Sequence, residues 1–181
     1  MSVLIFIDQS EGHVKKASLE AMSYGAKLAE LLGTSAEGLL LGSIKEDLPA
    51  LGRYGVKKIH HAANEILDHF DSQVFTRAIA QAVENTGAKV IVFPNNVDGK
   101  SIAPRLSARL KAGLVAGAIA LPNISNGFVV RKNVFSGKAF ADVGLATDIK
   151  IISLNPNSFP VQTGGNKAEV VAINLKLEAG R

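Results

Sequence analysis

The chain has 181 residues, a formal net charge of +4 and no cysteine. This length suits one domain with an appended arm, and such a domain buries an adequate core without disulfides. The lack of cysteine excludes disulfides, thiolate zinc sites and cysteine nucleophiles, and it fits a reducing compartment.

The N-terminal sequence and the charge pattern predict a soluble, cytoplasmic protein. Only five apolar residues in a row precede Asp8, with no basic leader and no small-residue cleavage site, so we expect neither a signal peptide nor a transit peptide. No apolar run approaches the length that spans a membrane. The basic residues form scattered pairs, and the chain has two tyrosines and no tryptophan, which favours solvated faces over nucleic-acid binding.

Strands and helices alternate through the first half of the sequence. Short apolar runs predict buried strands, and helical spacing of apolar residues predicts the segments between them. The predicted elements are a strand at Val3–Ile7, a helix at Ala17–Leu32, strands at Ser35–Leu41 and Lys58–His60 around a short helix at Glu46–Leu51, a helix at Ser72–Glu84 and a strand at Lys89–Phe93. This alternation predicts a Rossmann-like α/β fold with a mostly parallel sheet flanked by helices.

A Gly-Lys-Ser sequence follows the strand that ends at Phe93, and a helix is predicted to start near Ser101, with Pro104 in its first turn. A Walker A loop needs a glycine five residues before Gly99, but that position is Pro94, which has no N–H group. A helix start at the carboxyl end of a strand still attracts anions. Gly99, Lys100 and Ser101 are therefore a candidate phosphate site.

The same helix carries basic residues on one face. Arg105 and Arg109 are spaced i, i+4, and Lys100 lies about one turn earlier. Such a face suits phosphate or the carboxylates of a partner, and it is equally typical of a helix that faces solvent.

The second half has frequent Gly, Asn and Pro and no helical period. We predict strands at Val115–Ala120, Gly127–Arg131, Val134–Val143, Ile149–Leu154 and Val170–Leu177. Strands without intervening helices are expected to pair antiparallel. Residues 160–167 are the best linker candidate, and the last strand is expected outside the compact unit.

No catalytic motif stands out. His61, Glu65 and His69 are spaced i, i+4, i+8, as for a zinc site on one helix, but the run begins beside a predicted strand, so a chance spacing on a surface helix is favoured. Asp68 and Asp71 are expected to be solvated. The chain lacks a Gly-x-Ser-x-Gly elbow, and its first loop lacks the Gly-x-Gly-x-x-Gly of a dinucleotide-binding dehydrogenase.

Several stretches together resemble the N-terminal domain of the electron transfer flavoprotein α subunit. The opening VLIFIDQSEGHVKKASLEAMSYGAKLAE is similar to that family's first strand and helix. DGKSIAPRLSARL resembles its Gly-(Arg or Lys)-Asp-x-x-Pro-Arg signature, with Ser101 where aspartate is usual. FVVRKNVFSGKAFADV and KIISLNPNSF resemble its hairpin and the strand after it, with Leu154-Asn155-Pro156 in place of a basic ending.

The resemblance spans residues 2–159 and implies a Rossmann-like, adenine nucleotide alpha hydrolase-like domain. Family members continue into a domain that binds FAD, and nothing of that length follows Phe159. The implied organisation is the α-subunit N-terminal domain at residues 1–159, then a linker and an additional strand at 160–181. FAD would belong to the full-length parent, AMP to the partner β subunit, and no cofactor or metal to this chain.

The function implied by the resemblance is that of an electron carrier subunit and not of an enzyme. The parent is a heterodimer that passes electrons from acyl-CoA dehydrogenases of fatty acid β-oxidation to a membrane quinone reductase. This domain would be architectural, with Gly99, Lys100, Pro104, Arg105 and Arg109 at the contact with the β subunit. The alternative is a free-standing adenine-nucleotide-binding α/β domain that uses Gly99, Lys100 and Ser101 for phosphate.

Overall fold

The computed structural model describes residues 2–178, which form one large sheet with helices on both faces. The helices are α1 (Lys16–Leu31), α2 (Ser72–Thr86) and α3 (Val97–Leu110), and short 3-10 turns occur at Leu48–Tyr54, Glu65–Leu67 and Phe135–Gly137. The strands are β1 (Ser2–Ile7), β2 (Gln9–Ser10), β3 (His13–Val14), β4 (Ser35–Leu41), β5 (Lys58–Ala62), β6 (Val90–Pro94), β7 (Gly113–Ala118), β8 (Val129–Val134), β9 (Ala139–Gly144), β10 (Lys150–Leu154) and β11 (Glu169–Ala172).

The main sheet has nine strands in the order β11-β5-β4-β1-β6-β10-β7-β8-β9. The pairs from β11 through β7 are parallel, and β8 and β9 are added antiparallel at one end. Strands β2 and β3 form a separate small hairpin. The predicted fold class, a mostly parallel sheet flanked by helices with added antiparallel strands, is confirmed.

The central strand β1 explains why its sequence is apolar without alternation. Val3, Ile5 and Ile7 belong to the core that packs against α1, whereas Leu4 and Phe6 belong to the core beneath α2 and α3. Both faces of the strand are therefore covered by helices, as in other parallel sheets.

The prediction that the later strands pair antiparallel is wrong for two of them. β10 inserts between β6 and β7 and runs parallel to both. β11 pairs in parallel with β5 at the opposite end of the sheet. In both cases the chain returns across the fold before pairing, and the local sequence carries no signal for such a long return. The strand predicted at Val134–Val143 is also interrupted, by the turn at Phe135–Gly137.

The last strand lies inside the compact unit, contrary to the expectation. Residues 160–168 have no regular structure, but their backbone is tied to the body of the fold: the Gly165 amide donates to the Arg53 carbonyl over 3.0 Å, and the Ala168 amide donates to the Pro49 carbonyl over 2.9 Å. Beyond β11, the predicted strand does not continue. Residues 173–178 instead run beside α2 as an extended segment.

Helix α3 begins at Val97, four residues earlier than predicted. The Asn96 side chain caps it by accepting from the Gly99 amide over 3.0 Å. Pro104 consequently lies in the helix interior, so its predicted first-turn position is wrong. The predicted short helix near Glu46–Leu51 is the 3-10 turn at Leu48–Tyr54.

Candidate functional site

The clearest candidate site lies at the carboxyl edge of the sheet between β1 and β6. From β1 the chain builds β4 and β5 on one side and then returns to place β6 on the other, so this is the topological switch point where α/β sheets hold ligands. A cleft of about 430 Å³ opens beside it. Its polar lining includes Asp8, Glu11, Lys15, Asp68 and Asp98.

An ion-pair network occupies the switch point. The Lys15 ammonium lies 2.8 Å from Asp8 Oδ2 and 2.7 Å from Asp98 Oδ2, so one lysine bridges the end of β1 and the first turn of α3. Asn96 Nδ2 donates to the same Asp8 oxygen over 2.8 Å. The backbone of Asp8 is held by the Ser18 hydroxyl, which accepts from its amide and donates to its carbonyl. Every partner of Asp8 therefore comes from the start of α1 or the start of α3.

Burial and pairing shift the ionisation of this network in opposing ways. Burial raises the pKa of Asp8 above its ordinary value of 3.8, although hydrogen bonds from Lys15 and Asn96 act to lower it. Burial also lowers the pKa of Lys15, but the hydrogen bonds to Asp8 and Asp98 outweigh burial and raise it. The ammonium thus stays charged, and the site presents two carboxylates that share one cation.

The structure places Gly99, Lys100 and Ser101 in the first turn of α3. The Gly99 amide donates to Asn96 Oδ1 and the Lys100 amide donates to the Asn96 carbonyl over 2.9 Å, so both amides have partners within the helix. The Ser101 hydroxyl donates to the Val97 carbonyl over 3.0 Å. Asp98 adds a carboxylate to the same turn. These contacts weigh against a phosphate site at the three residues.

Gly99 has a packing role that the sequence did not indicate. A Cβ atom at this position would lie only 1.9 Å from the Pro94 carbonyl oxygen. The glycine therefore allows α3 to begin directly against the end of β6.

The basic residues of α3 lie on its exposed side. Pro104, Arg105 and Arg109 are all exposed. Arg105 lies close enough to Asp71 to help lower the pKa of that carboxyl, whose largest shift comes from hydrogen bonds donated by the Val74 and Gln73 amides. This face of α3 is exposed and therefore available for contact with a partner.

The helical spacing of His61, Glu65 and His69 does not exist in the structure. His61 is in β5, Glu65 starts a 3-10 turn and His69 lies in the loop before α2. Nowhere in residues 2–178 do three or more His, Asp or Glu side chains gather in a way that could hold a metal ion. His61 Nε2 is instead 2.7 Å from the Gly42 carbonyl oxygen.

Two acidic residues near these histidines have structural partners. The exposed Asp68 accepts from the Ser43 amide over 2.7 Å and from its hydroxyl over 3.0 Å. Asp71 is only partly exposed and caps α2 by accepting from the Gln73 and Val74 amides. Asp68 is solvent-exposed as expected, and both carboxylates also have the structural role of accepting these hydrogen bonds.

Sequence reasoning missed the bridge made by Lys15. Asp8 directly follows β1, and Asn95 and Asn96 directly follow β6. Because parallel strands end at one edge of the sheet, these polar residues indicate a polar site there. The pairing with Lys15 depends on how α1 starts over that edge, which no local pattern records.

No helix within residues 2–178 combines the length and the apolar character needed to cross a membrane. The chain matches the family described as the electron transfer flavoprotein domain over residues 3–178. It is 27% identical to the protein FixB of Clostridium saccharobutylicum over 179 residues, an alignment that covers 97% of this chain and 54% of the relative. It is 29% identical to the electron transfer flavoprotein subunit alpha of Clostridium acetobutylicum over 184 residues, covering 96% of this chain and 54% of the relative.

A third relative is subunit LctC of the NAD(+)- and ferredoxin-dependent lactate dehydrogenase of Acetobacterium woodii, 28% identical over 144 residues, with 78% of this chain and 34% of the relative covered. The chain spans about half the length of the first two relatives. The match to the family extends from the first strand to the segment beyond β11, and so it includes all nine strands of the sheet. This chain belongs to the electron transfer flavoprotein domain family.

Proposed function

We propose that the chain is the N-terminal α/β domain of an electron transfer flavoprotein α subunit. The observation that carries this proposal is the family match over residues 3–178, together with relatives that are themselves named α subunits. In this role it is the architectural part of a heterodimeric, FAD-containing electron carrier in the cytoplasm. The carrier takes electrons from acyl-CoA dehydrogenases and delivers them to the quinone pool.

FAD belongs to the full-length parent in this proposal, and AMP to the β subunit. The switch point of this chain does not fit a flavin pyrophosphate, because Asp8 and Asp98 place two carboxylates there and Lys15 is already bound to both. The proposed work of the chain is therefore to hold a partner and not to carry the electron.

The proposed contact with the β subunit is the exposed side of α3. It comprises Gly99, Lys100, Pro104, Arg105 and Arg109, of which buried Gly99 shapes the helix start and the other four lie toward solvent or partly so. Arginine forks on a rigid helix suit carboxylates of a partner protein. None of the described ion pairs engages Lys100, Arg105 or Arg109, so their charges are available.

We expect Arg105→Ala to weaken association with the electron transfer flavoprotein β subunit of the same organism by about 1–3 kcal/mol, the range for a lost charge-assisted hydrogen bond at an interface. The measurement is a calorimetric titration of the two purified subunits. Arg53→Ala is the matched control, because Arg53 is also exposed but lies on the 3-10 turn that packs with the α1 side of the sheet. Equal affinity of wild type and Arg105→Ala would remove Arg105 from the contact.

The alternative function is a free-standing adenine-nucleotide-binding domain with phosphate at Gly99, Lys100 and Ser101. It ranks second because the Gly99 and Lys100 amides already have acceptors. A titration with AMP followed by amide NMR separates the two functions. The proposed function expects the amides of residues 99–101 to keep their chemical shifts, whereas saturable shifts at these three amides would favour the nucleotide-binding domain.

A further inference from the structure

A second cleft lies far from the switch point, on the outer side of α2 and α3. It encloses about 400 Å³ and is lined by Arg77 and Gln81 of α2, Arg109 of α3, and residues 176–178 of the C-terminal segment. Three cations from three separate elements, Arg77, Arg109 and Lys176, thus line one cavity. Its volume falls within the range of small-molecule sites.

The positive charges of this cleft, on Arg77, Arg109 and Lys176, form no ion pair with any residue in the described range 2–178. The nearby Asp71 carboxylate interacts electrostatically with Arg77, but it is hydrogen-bonded to two amides as the cap of α2. The Glu178 side chain at the rim is exposed, and its interaction is therefore screened by solvent.

Arg77 carries an unmet hydrogen-bonding requirement. Its Nε–H is buried and has no acceptor among the described residues. Leaving a buried donor of a charged group without an acceptor costs about 1–3 kcal/mol or more, so few such donors persist without a reason. The guanidinium beside the cleft is therefore only partly compensated by the described residues.

The cleft is held in shape by hydrogen bonds to the C-terminal segment. Gln81 Nε2 donates to the Lys176 carbonyl and the Lys176 amide donates to Gln81 Oε1, each over 2.8 Å. Arg77 Nη2 donates to the Glu178 carbonyl over 3.1 Å. These contacts fix the backbone that carries the exposed Lys176. Such preorganisation lowers the entropic cost of binding.

We propose that this cleft is a binding site for a small molecule that carries a phosphate or diphosphate group. Three basic residues around one cavity match an anion with several oxygens better than a single carboxylate, because the unengaged Arg109 fork can take two oxygens and Arg77 and Lys176 add positive charge. The site goes beyond the proposed β-subunit contact. Arg109 belongs to both, but the cleft needs no partner subunit to be complete.

The test is a titration of the isolated full chain with inorganic pyrophosphate at constant ionic strength, followed by amide NMR and calorimetry. We expect saturable shifts at the amides of residues 77, 109 and 176, with no matching change around Gly99. Arg77→Ala and Arg109→Ala should each raise the Kd at least about tenfold, which is the loss of about 1.4 kcal/mol of binding. Arg53→Ala, on the opposite side of the sheet, should leave the Kd unchanged.

Arg109→Ala removes an exposed side chain with no described hydrogen bond, so its melting temperature should equal that of wild type, and the result does not depend on how well Arg77→Ala folds. An unchanged Kd in Arg109→Ala would overturn the proposal. So would shifts that spread over all basic surfaces without saturation, or binding of a polyglutamate peptide where pyrophosphate fails, since that would make the cleft a docking surface for an acidic protein segment. A failed pyrophosphate titration leaves the proposed β-subunit contact intact, because that contact is measured with the β subunit.

Discussion

Lys15 is the residue on which the carboxyl edge of the sheet depends. Its side chain is 33% exposed, whereas the Asp8 side chain that it pairs with is only 3% exposed. A carboxylate buried to that extent is stable only when its charge is matched. Lys15 therefore allows Asp8 to be ionised inside the fold.

We expect Lys15→Met to destabilise the protein by about 3 kcal/mol near neutral pH, the lower end of the range for removing one partner of a buried ion pair, because Asn96 still donates to Asp8. The measurement is urea unfolding. Lys27→Met is the matched control: its pair with Glu30 is exposed on both sides, so we expect a change below about 0.5 kcal/mol.

The destabilisation of Lys15→Met should depend on pH with a defined sign. Burial already raises the pKa of Asp8, and loss of the ammonium raises it further. The penalty is therefore full above the folded-state pKa of Asp8 and shrinks as the pH falls through it, since protonation removes the unmatched charge. A penalty that does not shrink as the pH falls from neutral to 3.8 would show that Asp8 is not the cause.

A second prediction at the residue scale concerns Gly99. Gly99→Ala places a Cβ against the Pro94 carbonyl, and backbone atoms cannot yield as a flexible side chain can. We expect a loss of about 1–3 kcal/mol in the free energy of unfolding. In Gly144→Ala the new methyl group meets no atom within 4 Å, so its stability should stay within about 0.5 kcal/mol of wild type in the same urea experiment.

At the scale of elements, the start of α2 shows how one side chain organises a helix. Asp71 Oδ1 accepts from the Gln73 amide over 2.8 Å and from the Val74 amide over 3.0 Å. Two of the amides that lack partners at a helix start are thus satisfied by one carboxylate. The same helix carries Arg77 and Gln81, which line the second cleft, so the cap also stabilises one wall of that cleft.

We expect Asp71→Ala to destabilise the protein by about 1 kcal/mol, whereas Asp71→Asn, which still offers an acceptor, should cost much less. The two amide hydrogen bonds lower the pKa of Asp71 below 3.8. Its contribution is therefore fully present above 3.8 and is lost as the pH falls through the lowered value. Thermal unfolding followed by circular dichroism measures both effects, and an Asp71→Asn curve with the acid dependence of wild type would contradict this assignment.

Elements that depend on interactions between residues close in sequence are predicted well, whereas elements that depend on contacts between distant residues are not. The strand at Ser35–Leu41 was predicted with its observed bounds, because an apolar run between turn residues is a local signal. α3 starts four residues before the predicted position, because a glycine such as Gly99 favours a turn when only the local sequence is considered. Gly99 allows α3 to pack closely against Pro94, and such a contact cannot be recognised before the fold is known.

At the scale of the whole molecule, the C-terminal segment pairs with the edge strand β5 and contacts residues on both faces of the sheet. The Ser23 hydroxyl of α1 lies 3.0 Å from the Gln162 amide, which donates to it. β11 then covers the edge of β5, and Ile173, Leu175 and Leu177 pack against the core beneath α2 and α3. Residues 160–178 therefore stabilise the body of the fold, even though the domain boundary at residue 159 is still a prediction.

We expect a chain that ends at Phe159 to lose about 3 kcal/mol of stability, an estimate from the partial burial of three large aliphatic side chains. It should also self-associate, because the edge of β5 becomes available for pairing. Urea unfolding and sedimentation velocity measure the two effects. A chain that ends at Glu178 is the control, and a truncated chain with wild-type stability and a monomeric profile would support an independent domain at residues 1–159.

The strand order cannot be predicted from the sequence, and neither can the position of the C-terminal segment, because both depend on contacts between residues far apart in the chain. Apolar runs locate β10 and β11, but nothing in either run identifies β6, β7 or β5 as its neighbour. The alternation of strands and helices predicts a helix start after Phe93, whereas the bridge from Lys15 to Asp98 joins residues 83 positions apart and has no signal in the sequence.

The insertion of β10 also has a consequence for synthesis on the ribosome. β6 and β7 are complete by Ala118, but the strand that joins them ends only at Leu154. A nascent chain therefore exposes two unpaired edges while the β8–β9 hairpin is being translated, and such edges are prone to aggregation. The last central strand to emerge closes the sheet, so the time during which these edges stay open grows with the time needed to synthesise residues 119–154.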